Sequence, residues 1–188
     1  MTTASLKISA LLGFAALAAM PAGAQAQSST ATKTLAVTGN VPAMCVGGTV
    51  SGDGAFDMGV LIDTATGLLR TDLAAPARVI SGSYCSTRST IAITATPLAA
   101  TNFTAVPTSG FSRSVNYTAT ASGWTPTAAS FAIGASANTA ATQTRDSAFA
   151  GDITVGIGGF GVSGGNALRL VADTAYRGLV TVTLTAVN

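Results

Sequence analysis

The side chain most often used for chemistry at neutral pH, histidine, does not occur in this sequence. Mechanisms that need an imidazole base, proton shuttle or metal ligand are therefore excluded. Two catalytic patterns are nonetheless spelled out. Gly161-Val-Ser163-Gly-Gly165 fits the GxSxG nucleophile elbow, whose serine must pass its proton to a histidine. Gly156-Ile-Gly-Gly-Phe-Gly161 fits the dinucleotide pattern GxGxxG, which works only where a strand runs through it into a helix that holds a pyrophosphate. The next residues, Val162-Ser-Gly-Gly-Asn166, cannot start a stable helix, and a chain with 21 glycines meets such a pattern by chance. Asp53 and Asp57 could offer two oxygens to calcium, but the twelve-residue EF-hand pattern is missing and polar turn residues explain them better. No acid pair, nucleophile–base pair or metal cluster can be assembled. The expectation is a chain with no catalytic residue, no metal and no cofactor.

The two cysteines, Cys45 and Cys85, are the remaining reactive groups, and their meaning depends on compartment. Residues 1–26 have the layout of a secretory leader: Lys7, the apolar run ISALLGFAALAAM, then Pro21 and small residues closing on Ala24-Gln-Ala26. A membrane anchor would need about 20 apolar residues, and no later stretch is apolar for long enough either. Removing the leader takes away Lys7 and leaves 162 residues with eight basic and seven acidic side chains, a length that suits one domain. In an exported chain, an even cysteine pair favours a disulfide over two free thiols or half a metal site. Closing a loop of about 41 residues would stabilise the fold by roughly 4 kcal/mol on the chain-entropy model.

What must position these residues is a sheet. Charged residues make up 9% of the chain and every acid is Asp, whereas the exposed faces of a helical bundle draw on Glu, Lys, Gln and Arg. A hydrophobic content of 48% with a net charge of +2 argues against disorder. Seven scattered arginines make no cationic face for nucleic acid. Period-two alternation recurs instead, with Gly, Ser, Asn and Pro between the runs. Residues 34–41 (TLAVTGNV) place Leu35, Val37 and Val41 on one side. Residues 89–98 alternate Ile91 and Ile93 with Ala and Thr; residues 113–120 align Val115 and Tyr117; residues 152–157 offer Ile153, Val155 and Ile157. The longest alternation, residues 178–188 (GLVTVTLTAVN), sets Val180, Val182 and Leu184 against Thr181, Thr183 and Thr185. The Ala-rich residues 128–141, interrupted by Ser130, Gly134 and Asn138, read as loop or edge strand, and Trp124 reads as core or an edge plug rather than a ligand platform. Short strands with turns between them predict an all-β sandwich.

The order of these features resembles a known family. A polar opening and a strand ending Val41-Pro-Ala-Met-Cys45 lead to Phe56-Asp-Met-Gly59, then to a strand running into Tyr84-Cys85. Val115-Asn-Tyr117 and Trp124 follow, and Leu170-Val-Ala-Asp-Thr-Ala-Tyr-Arg-Gly178 introduces the closing Val/Thr strand. Over essentially the whole mature chain this resembles a subunit of the chaperone–usher pilus superfamily, in particular members with the spore-coat-protein-U-like domain. It departs where many pilus subunits carry a Tyr beside the C-terminus and this chain has Val187. The resemblance implies an immunoglobulin-like sandwich that lacks its last strand. That strand is lent first by a periplasmic chaperone and then, after passage through an outer-membrane usher, by the N-terminal extension of another pilus subunit. On that reading residues 27–37 are the donor strand, with Leu35 and Val37 as its apolar side chains, and residues 38–188 are the domain. Val180, Val182 and Leu184 line the groove that the chaperone covers. The protein would pass through the periplasm to a surface fimbrium serving adhesion or biofilm, with neither nucleic acid nor a membrane-embedded segment involved. The alternative is a self-complete secreted or surface β-sandwich that binds a ligand or matrix.

Overall fold

The computed structural model describes residues 30–187; the expected leader, the first three residues of the expected donor segment, and Asn188 lie outside the described residues. The chain divides after Gly39 into two units. In the described part of the first, residues 30–39, there is no strand and every residue is exposed. This corrects the strand expected over residues 34–41. Its alternation is real, but a strand needs hydrogen-bonding neighbours and an apolar surface to lie on; among the described residues Leu35 and Val37 join no ladder, and they are 87% and 96% exposed.

The second unit is built from thirteen strands. They are β1 (Cys45–Val46), β2 (Thr49–Val50), β3 (Arg78–Cys85), β4 (Ser89–Ala95), β5 (Leu98–Ala100), β6 (Phe111–Ser112) and β7 (Ser114–Ser122). There follow β8 (Ala129–Ala132), β9 (Thr142–Arg145), β10 (Phe149–Val162), β11 (Arg169–Leu170), β12 (Tyr176–Arg177) and β13 (Val180–Ala186). One sheet runs β1-β3-β10-β7-β5-β12, with β2 also on β3 and β8 also on β7; the other runs β13-β4-β9. A short parallel pair joins β6 with β11. The fold is the all-β sandwich that the alternation implied. Pro97 explains why the run from residue 89 breaks into two strands: it offers no N–H to a ladder. The Ala-rich segment supplies β8, which pairs only with β7, and one 3-10 turn, Thr139–Ala141.

The core lies where β4 faces β7 and β10. Ile91 and Ile93 are completely buried against Tyr117, Ala119, Ala121, Ile153 and Val155, and each such side chain stabilises the fold by about 1.5–3 kcal/mol. Trp124 is also fully buried, edge-on to Phe149 at 5.2 Å, its indole N–H donating to the Ser89 hydroxyl at 3.2 Å. The Arg145 guanidinium sits 3.5 Å above the Phe149 ring and donates to the Trp124 carbonyl at 2.6 Å. Gly123, at φ +93°, makes the turn into this cluster; a Cβ there would lie 2.6 Å from the Asp152 carbonyl.

Candidate functional site

The literal motifs resolve into structure. Gly156–Gly161 lies inside β10, paired along β7, so no strand-to-helix turn exists there to hold a phosphate. Ser163 follows in the turn after β10, its N–H donating to the Ser114 carbonyl at 3.0 Å. Asp53 and Asp57 accept the amides of Ala55 and Gly59 at 3.0 and 2.9 Å. Asp53 also meets Arg78 at 3.4 Å; the Ala55 amide and then the Arg78 charge hold its carboxyl below the usual range. Among the described residues no group of three His, Cys, Asp or Glu could hold a metal ion.

Cys45 and Cys85 are joined by a disulfide. They stand directly opposite each other in the β1–β3 ladder. The chain reaches this point through Pro42–Met44, held by Ser86: its hydroxyl donates to the Pro42 carbonyl at 3.2 Å and accepts from the Met44 amide at 3.0 Å.

The remaining candidate is an edge. β13 pairs with β4 over all seven residues, from Val180 opposite Ala95 to Ala186 opposite Ser89. On its other side β13 pairs with no strand among the described residues, although β1 comes close to it. Val180, Val182 and Leu184 point inward onto the main core, yet each is only half-buried. Tyr117 pins the start of the strand, its hydroxyl donating to the Leu179 carbonyl at 3.4 Å, and burial pushes its phenol up. An edge of this kind presents free N–H and C=O groups above partly covered apolar side chains, which an added strand can pair and fill.

β12, which leads into β13, forms one wall of a cleft of about 1040 Å³ together with residues 170–175. The facing wall is residues 55–62, and Leu98 contributes to the lining. Residues 55–61 join no ladder. Phe56 is half-buried against the main core, whereas Leu61 and Ile62 pack on the second cluster of Val115, Val162 and Leu170. The sequence had marked Phe56–Gly59 and the segment before Gly178 only as landmarks. Asp173, in that segment, is the wall's anchor. It accepts the amides of Asn102, Phe103 and Ala175 at 2.8, 2.8 and 2.9 Å and the Asn102 side-chain amide at 2.8 Å. These donors, the Ala175 amide foremost, lower its carboxyl to about 2. An Asp two residues before a small residue is the turn signal that could have found it.

Comparison with family models, with curated proteins and with solved structures finds no match to this chain.

Proposed function

We propose that this protein is a structural subunit of a surface fibre, exported through the periplasm and assembled by strand donation. The observation that carries the reading is β13: a seven-residue strand paired on one side and, among the described residues, open on the other, with its inward side chains half covered. The fold is then an incomplete immunoglobulin-like sandwich, held in transit by a periplasmic chaperone that covers the open edge and handed on by an outer-membrane usher. Residues 27–37 of another copy, or of a related subunit, complete it in the fibre. Support for a donor comes from residues 30–39, which carry alternating Leu35 and Val37 with no fold of their own to bury them. Eleven residues at about 3.3 Å each reach roughly 36 Å, enough to run the length of β13. The contact is head-to-tail and does not close, so it propagates into a fibre.

The test uses the mature chain. Deleting residues 27–33 together with Leu35→Asp leaves a folded subunit that forms no fibres, and a synthetic peptide of residues 27–38 raises its melting temperature, because a ligand bound only by the folded state stabilises that state. Fibres from the deleted chain, or a peptide without effect, would leave a self-complete exported sandwich as the better account.

A further inference from the structure

The outward face of the β13-β4-β9 sheet is a grid of threonines. Ile91, Ile93, Val180, Val182 and Leu184 take the inward positions, so the ladder registers fix what points out. One row across the three strands is Thr185, Thr90 and Thr144; the next is Thr183, Ala92 and Thr142. A third row, Thr181 with Thr94, spans two strands. Neighbouring rows stand about 6.7 Å apart and neighbours within a row about 4.8 Å. No outward position of the face carries a charge; the Arg88–Asp146 pair lies beyond its end. Among the described residues these hydroxyls make no side-chain hydrogen bonds, unlike Thr96 beside them, which accepts the Leu179 amide at 2.9 Å.

A face of this composition is unusual for an exposed sheet, which commonly carries Lys, Glu or Asp that keep copies apart. Within these three rows no charge repels a second copy, and the Arg88–Asp146 pair in the next row is neutral as a pair. A hydroxyl both donates and accepts, so a patch of threonines around Ala92 is its own complement, the condition for the same patch to meet itself across a two-fold axis. A ligand of other chemistry is less well matched: the face holds no aromatic platform for a sugar ring and no charge for an ion. We infer that this threonine face joins copies of the protein side by side, each face seated on the same face of a copy in a neighbouring fibre. The inference rests on the fibre reading above and adds lateral contact to it. Area decides how the contact works. β4 and β13 with seven residues each and β9 with four cover roughly 290 Å², well short of the about 800 Å² per partner of a standard stable interface. Two free subunits therefore stay apart, whereas a row of such faces along two fibres holds through effective concentration.

Electron microscopy of fibres formed by the mature chain tests this. Wild-type fibres should lie side by side in bundles. A Thr90→Lys/Thr183→Lys variant should give single fibres of the same length in low salt and bundles again in about 1 M salt, where the Debye length falls to about 3 Å. Thr90→Ser/Thr183→Ser, which keeps the hydroxyls, should bundle like the wild type. If the double lysine variant melts lower than wild type, Thr142→Lys/Thr144→Lys on β9 replaces it with the same expected outcome. Single wild-type fibres, or lysine variants that bundle in low salt, overturn the lateral contact and leave strand donation standing. No fibres at all from the wild type overturns both.

Discussion

β4 and β13 lie side by side with the same alternation, apolar in and Thr or Ala out, yet they differ in cover. Ile91 and Ile93 of β4 are completely buried, while Val182 and Leu184, their partners in the ladder, are half-buried. Residue type does not account for this, since both sets are aliphatic. Position does: among the described residues β4 has a strand on each side, and β13 has one. Alternation tells which side chains face the core, and neighbours determine whether the core closes over them. Residues 34–41 take the point further: they carry the same pattern and form no strand.

The largest effect is expected where the edge facing this gap is tied. β1 has only two residues in its ladder, so the Cys45–Cys85 bond contributes much of what fixes it. Cys85→Ser should lower stability by about 4 kcal/mol, the chain-entropy value for a loop of this length, measured by urea unfolding of the oxidised wild type against the variant. A loss below about 1 kcal/mol would mean that β1 is held by other means. The covered and uncovered strands should then separate on truncation. Ile93→Ala should cost about 2–5 kcal/mol, as large-to-small changes in a closed core do, and Val182→Ala about 1 kcal/mol, since part of its surface already faces water. Adding the peptide of residues 27–38 should narrow the difference by raising the cost at Val182 alone. Equal losses without the peptide would break the comparison.

The sequence displayed the covered strand and the open one alike. Ile91, Ile93, Val115, Tyr117, Ile153 and Val155 were legible because each lies in a strict alternation whose partners are themselves strands. The inward set of β13 was legible on the same ground. Thr34 to Val41 misled because a pattern carries no information about whether a partner exists. β1, β2, β6, β11 and β12 are two-residue strands, too short for any periodicity; long-range ladders set them. The cleft wall was hidden for a related reason: Asp173 works through amides of residues 102 and 103, some 70 positions away.

That wall gives a smaller, pH-dependent effect. The Asp173 carboxyl is held at about 2, below its ordinary 3.8, chiefly by the Ala175 amide and then by those of Phe103 and Asn102. A depressed acid stabilises the fold above its unfolded value and ceases to do so as pH falls through the folded one. The wild type should therefore melt above Asp173→Asn at neutral pH, and the difference should shrink between about pH 4 and pH 2. Asn keeps one carbonyl acceptor but not the charge, so a variant that melts identically at pH 7 would show that the four donors need only an oxygen.

The smallest effect is expected at the segment that forms no strand, and its smallness is what makes it informative. Leu35 and Val37 are almost fully exposed, so Leu35→Ser/Val37→Ser should change the melting free energy of the isolated subunit by no more than about 0.5 kcal/mol, the ordinary range for surface substitutions. The same two changes remove the only sizeable apolar side chains between residues 27 and 38. A peptide carrying them should no longer raise the melting temperature of a wild-type subunit, because its backbone can still pair with β13 but nothing fills the space beside Val182 and Leu184. Stability lost in the isolated subunit would place these side chains in their own domain, as a first strand; stability lost only in the complex places them in another's. The contrast between the two measurements thus separates a sandwich that completes itself from one that is completed by a neighbour.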